Sequence, residues 1–246
     1  MEDGAVIRCR LDLLVRLIDT TTGQAVTERN VVFKNGDKKL AAQGRGDGNY
    51  IFIDTGRDNY LMTLSVFGYE DKLIDVNYET LDERMPSIDA FLLPAENTNY
   101  DTITLSGKRT GLVAVEAVQI GKPVCSISEF NKKDLKMTLF LANKQMNMEG
   151  GHYGLLHGED SYEHIFVEKQ FNPTLLKLKE ELAEEFTVNS PICRVVFGEV
   201  GPKGAFRLRI RDSGGDLRYL VRYQIKDKVK FKVIDFKNDD LSEIKL

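Results

Sequence analysis

Gly48-Asn49-Tyr50-Ile51-Phe52-Ile53-Asp54-Thr55-Gly56, followed by Tyr60-Leu61-Met62-Thr63-Leu64-Ser65-Val66 and Gly68, spells strand, break, strand. Tyr60, Met62, Leu64 and Val66 recur with the period of two that places them on one face of a strand. Asp54 to Asn59 interrupts the run, and Gly44-Arg45-Gly46-Asp47-Gly48-Asn49 ahead of it is a turn. Upstream, Asp12 to Asp19 carries Leu13, Val15 and Leu17 on one side and a mixed set on the other. Thr20 to Gln24 then supplies turn chemistry, and Asn30 to Phe33 is a further strand. It is closed by Asn35-Gly36-Asp37, where Asn-Gly predicts a hairpin with positive φ at both central residues. Downstream, Lys72 to Tyr78 alternates again and Ile88 to Leu93 ends at Pro94. About seven short strands with turns between them predict a β-sandwich.

Pro94 to Asn99 is short and polar and marks a boundary, dividing the chain into domains 1–95 and 96–246. The second domain also looks β-rich. Leu112 to Ile120 is an apolar strand, and Leu135, Met137, Leu139 and Leu141 share a face. Asn143 to Tyr162 is glycine-rich and polar without a firm period. One amphipathic helix is expected over about residues 173–186. Asn172 would be its N-cap, Pro173 its first residue, and Leu175, Leu178, Leu182 and Phe186 its buried face. Ile192–Val200, Ala205–Arg211, Leu217–Ile225 and Val229–Phe236 predict a four-strand antiparallel meander, with Phe206, Leu208 and Ile210 inward and Arg207, Arg209 and Arg211 facing water.

The 246 residues carry a net charge of −4 with the two signs interspersed. That balance argues against binding a nucleic-acid backbone, which needs a basic face strong enough to displace counterions. The acidic Met-Glu-Asp-Gly start has no apolar run behind it, and no stretch is long and apolar enough for a membrane span. A cytoplasmic protein is expected, free or incorporated into a particle. Cys9, Cys125 and Cys193 are far apart and odd in number, so they suggest small core residues rather than disulfides or a zinc site.

The Gly48–Gly56 and Tyr60–Val66 segments, with Gly68-Tyr69-Glu70, resemble the carboxypeptidase-regulatory-like (transthyretin-like) domain, whose pattern runs G-x-Y-x-F, then G-x-Y-x-L-x-V-x-x-x-G-Y. Val15 to Asp19 and Thr22-Gly23-Gln24-Ala25-Val26 are similar to its opening V-x-D-x-x-T-G-x-P-V. Ala25 stands where proline is usual, and Arg57-Asp58-Asn59 replaces the common Pro-Gly. The likeness covers residues 11–94. It implies an immunoglobulin- or prealbumin-like sandwich serving as spacer, adaptor or docking module, with no catalytic residues to carry over. Tyr50 and Tyr60 would keep their rings buried and their hydroxyls wet. More loosely, the Leu17-Ile18-Asp19 opening resembles components of contractile phage-tail-like particles.

His152, His157 and His164 lie in one segment with Glu159, Asp160 and Glu163, a set that admits a metal site or a solvated or interface loop, although its spacing fits no known metal motif. Cys125 or Cys193 with a histidine is a formal nucleophile–base pair, supported by nothing beyond the residues themselves. Arg45-Gly46-Asp47 spells a cell-adhesion tripeptide that turn formation explains, and no glycine-rich stretch has phosphate-loop order. Arg207, Arg209, Arg211, Arg218, Tyr219, Arg222 and Tyr223 form the candidate interface, arginine and tyrosine being enriched where proteins meet. The alternatives for these residues are a solvated sheet face and a site for an acidic ligand or glycan, with the tyrosines as stacking platforms.

The leading expectation is a non-enzymatic structural or adaptor protein, without catalytic residues, cofactor or metal. It would join other protein subunits, without nucleic acid or membrane span, as a cap, collar or baseplate component of a contractile assembly, and a homo-oligomer is allowed. The alternatives are a carbohydrate- or surface-binding module and a metal-dependent hydrolase using the segment 152–164.

Overall fold

The strands anticipated from alternation are present, and the fold is mainly β, built from several largely antiparallel sheets. The computed structural model describes residues 10–28, 30–95, 102–140, 148, 150–211 and 217–239. The chain divides into two units, one of residues 1–19 and 25–98, the other of residues 20–24 and 99–246.

The first unit contains β1 (Leu11–Asp19), β2 (Val31–Asn35), β3 (Lys38–Leu40), β4 (Gln43–Gly44), β5 (Asn49–Ile53), β6 (Tyr60–Val66), β7 (Lys72–Val76) and β8 (Ser87–Leu92). They form two four-stranded sheets, β4-β5-β1-β8 and β3-β2-β6-β7, in which only β1 and β8 run parallel. Between the sheets lie Leu13, Val15, Leu17, Phe33, Phe52, Met62, Leu64, Ile74, Val76 and Leu92, a β-sandwich core. Tyr50 keeps its ring against Phe33, but its hydroxyl is not simply wet, since it donates to the Glu28 carbonyl at 2.8 Å. In the β2–β3 hairpin the loop is Gly36-Asp37 rather than Asn35-Gly36. Only Gly36 takes positive φ (56°), so a glycine at the first loop position suffices.

One buried carboxylate ties β1 to the loop after β5. Asp12 accepts from Arg10 Nε at 2.7 Å and from the backbone N–H groups of Thr55 at 2.5 Å and Gly56 at 3.1 Å. Burial alone would raise its pKa. The hydrogen bonds from Arg10, Thr55 and Gly56 outweigh burial and hold the carboxyl below its ordinary value.

The second unit contains β9 (Thr102–Lys108), β10 (Leu112–Gln119), β11 (Cys125–Asn131), β12 (Lys136–Phe140), β13 (Gly151–His157), β14 (Ser161–Asn172), β15 (Leu175–Leu178), β16 (Pro191–Phe197), β17 (Glu199–Val200), β18 (Ala205–Arg211), β19 (Arg218–Ile225) and β20 (Lys228–Asp235). Its main sheet runs β11-β12-β15-β14-β13-β16-β10-β19-β20, and β11 also pairs with β16. That extra pairing (Cys125 with Ile192, Ser126 with Pro191) closes six strands into an antiparallel barrel. Ile127, Met137, Leu139, Leu155, Ile165, Val167, Leu176, Leu178 and Ile192 fill it. Beyond the barrel, β16 continues into β10-β19-β20, which packs through Val115, Ala117, Tyr219, Val221 and Tyr223 on Leu105, Phe206, Leu208 and Ile210 of the sheet β17-β18-β9.

Three expectations are corrected here. The expected helix at 173–186 is the hairpin β14–β15 followed by irregular chain. Asn172 does accept a local hydrogen bond, from Thr174 N–H at 2.9 Å, but it caps a two-residue turn and not a helix. The barrel core takes Leu176 and Leu178, two apart, which is a strand period, and the chain beyond tucks in Leu182 and Phe186. The histidine segment is a second hairpin, β13–β14, instead of a loop. The four-strand meander is broken. β18 pairs with β9 and β17, β19 with β10 and β20, because the early strands of this unit insert between the late ones.

Candidate functional site

Alternation along β13 and β14 sorts their side chains between two faces. Leu155, Ile165 and Val167 enter the barrel, while His152, Gly154, Tyr162, His164 and Phe166 lie on its outside, Gly154 directly opposite His164. Gly154 is required by closeness, since a Cβ there would meet Val118 Cγ1 at 2.7 Å and Tyr162 Cδ2 at 2.9 Å. Over this outer face come Glu116 from β10 and Arg222 from β19, which are register partners. Arg222 Nη1 donates to Glu116 Oε1 at 2.9 Å. The other carboxylate oxygen faces His164 Nδ1 at 3.5 Å. His164 Nε2 in turn lies 2.9 Å from His152 Nδ1. Four charged or titratable groups from four strands thus form one chain, with the His152 and His164 rings packed against Phe197 and His152 edge-on to Phe166.

The proton arrangement follows from these distances. In a ring-to-ring contact one nitrogen donates and the other accepts, so two imidazolium rings would oppose N–H to N–H. Nδ1–H of His164 toward Glu116, with its Nε2 accepting from His152 Nδ1–H, satisfies every member. Beside the pair lies the buried Tyr162 hydroxyl, whose phenol is pushed well above its ordinary pKa by burial, reinforced by the Glu116 charge. Buried Cys125 and Cys193 are both pushed up to about 12, mainly by burial, which keeps them as thiols at neutral pH.

His157 does not join the other histidines. Its strand parity differs from that of His152, and its Nε2 lies 3.7 Å from Glu163 and 3.9 Å from Glu184. Among the described residues no group of three or more His, Cys, Asp or Glu side chains could hold a metal ion.

The candidate interface residues scatter. Tyr219 and Tyr223 are buried in the core between the sheets, Tyr219 packing on Phe236 with ring centroids 5.3 Å apart, so neither offers a stacking surface to a sugar. Arg209 is buried as well, against the expectation that it faces water. Arg207 pairs with Glu199 at 3.2 Å, and Arg211 Nε donates to Thr21 Oγ1 at 3.1 Å. Arg222 belongs to the polar chain just described, and Arg218 is exposed. Glu116 was missed by sequence reasoning, although the signal is visible: it is the lone charge in Leu112-Val113-Ala114-Val115-Glu116-Ala117-Val118.

A different kind of surface lies on the first unit. Leu61 and Leu73 alternate with buried Met62, Leu64 and Ile74 and so point outward from β6 and β7. They are 54% and 63% exposed, and Phe67, in the turn after β6, is 74% exposed. Among the described residues no helix is long and apolar enough to cross a membrane. The chain matches no protein-family model and no curated protein sequence.

Proposed function

We propose that this chain is a non-enzymatic structural or adaptor protein that joins other protein subunits, as a cap, collar or baseplate component of a phage-tail-like contractile assembly. The observation that carries this reading is the exposure of three large apolar side chains on the first unit, Leu61 and Leu73 pointing outward from β6 and β7 and Phe67 in the turn after β6. Large apolar side chains left this exposed favour a docking role, because water leaves them at a gain of about 25 cal/mol per Å² when a partner covers them. The likeness of residues 11–94 to a docking module supports the same class. The polar side chains of the second unit fit it too, since Glu116, Arg222, His164 and His152 are engaged with one another across strands.

Isolation of the native complex tests the reading, by sizing and negative-stain microscopy beside a Phe67→Asp, Leu73→Asp variant. Wild-type chain should migrate with a larger particle, and the variant should fold normally yet be left out of it. Wild-type chain that co-purifies with nothing would refute the assignment.

A further inference from the structure

The barrel carries three lysines in one line across adjacent strands. Lys136 of β12 is the register partner of Lys177 on β15, and Lys177 is in turn the partner of Lys169 on β14. Strands lie about 4.8 Å apart, and like charges directly opposite repel. The line is only partly offset within the chain: Lys136 has Asp134 at 3.8 Å and Lys177 has Glu168 at 2.7 Å, whereas Lys169 has no carboxylate within ion-pair distance among the described residues. Phe171, bulged out of β14 and 47% exposed, sits beneath two of them, with the ammonium groups of Lys169 and Lys136 at 5.2 Å and 5.9 Å from its ring centre.

Directly after β15 the chain presents the opposite charge. Glu180, Glu181, Glu184 and Glu185 are all exposed, while Leu182 and Phe186 between and behind them are anchored against the barrel core. Glu163 holds this segment in place by accepting from the N–H groups of Ala183 at 2.5 Å and Glu184 at 3.3 Å. A carboxylate spent on fixing a segment that already bears four others presents a firm acidic ridge, where a free acidic tail would simply be solvated.

We propose that this side of the barrel is a two-fold interface between copies of the chain, in which the line Lys136–Lys177–Lys169 with Phe171 of one copy receives the Glu180–Glu185 ridge of the other. The two patches are of opposite sign and follow each other closely along the chain, Lys177 standing three residues before Glu180, and in an isologous contact each meets its complement when the copy is rotated by a half turn. Phe171 supplies the apolar centre and the lysines the register. The interface is separate from the apolar sheet of the first unit and does not rest on the function proposed for it.

Sedimentation velocity on the full chain tests this. At low salt the wild-type chain forms a dimer, and its dissociation constant rises at least about tenfold in about 0.5 M NaCl, where screening shortens charge interactions to a few ångströms. Lys169→Glu with Lys177→Glu gives a monomer, as does Glu181→Lys with Glu184→Lys. An equimolar mixture of the two variants restores the dimer, because both halves of the contact regain opposite charges. Lys169→Gln with Lys177→Gln, a milder pair, serves if charge reversal disturbs folding, and it weakens association in the same direction. A monomeric wild-type chain at low salt, a dimer indifferent to these substitutions, or a mixture that stays monomeric overturns the proposal. So does a monomer that binds a poly-glutamate peptide or a single-stranded oligonucleotide through Lys169 and Lys177, which assigns the surface to a foreign polyanion.

Discussion

The two units handle a buried carboxylate in opposite ways. In the first, Asp12 is held largely by its own neighbourhood: two backbone N–H groups of the loop after β5 and the side chain of Arg10. In the second, Glu116 is held by side chains from distant strands, Arg222 on β19 and His164 on β14, and the chain runs on to His152 on β13. The first arrangement needs one strand and one loop to be in place. The second exists only when the barrel and the β10-β19 sheet have both formed. Buried charge is a local staple in one case and a test of complete assembly in the other.

Breaking each core is the largest perturbation. Phe52→Ala in the sandwich should cost about 3–5 kcal/mol and Leu155→Ala in the barrel about 2–5 kcal/mol, both positions being wholly buried; urea denaturation followed by circular dichroism measures each loss. Next comes the assembled chain. Glu116→Gln leaves Arg222 without its counter-charge and should cost about 2 kcal/mol, less than a fully buried pair because the arginine keeps some water. The local staple is worth less, and Asp12→Asn should cost about 1–2 kcal/mol.

That variant also sharpens the comparison through pH. Asp12 has a lowered pKa when folded, so its carboxylate stabilises the unit fully above the unfolded value of about 3.9, and this contribution disappears as pH falls through the lower native value. An Asp12→Asn protein should therefore lose less stability than wild type on acidification from about pH 5 downward. Equal acid sensitivity in thermal melts would remove Asp12 from the account. The smallest effect on stability belongs to the surface: Leu73→Asp should change it by less than about 0.5 kcal/mol while removing partner binding. A large drop in melting temperature would show that this face serves the fold.

Much of the sandwich was legible because its signals are local. Leu13, Val15 and Leu17, or Met62 and Leu64, alternate in sequence and are buried by that same alternation. The second unit was less legible because its pairing is not local. Asn172-Pro173 suits a helix start and a hairpin turn equally, and the leucines at 175, 176 and 178 fit either period until the barrel offers an edge between β12 and β14. Arg209 alternates like a surface residue and is buried all the same. The Arg222–Glu116–His164–His152 chain joins residues from four strands, and no spacing along the chain announces it.

Strand β16 serves two masters. Its first half, through Ile192 and Cys193, is a stave of the barrel, and its second half, Val195 to Phe197, is the inner strand against β10. The two halves share one strand, so melting of the barrel and of the layered sheets beside it is expected to be a single cooperative event. A calorimetric trace of this unit would then show one peak whose van't Hoff and measured enthalpies agree, and amides on either side of Arg194 would exchange with solvent together.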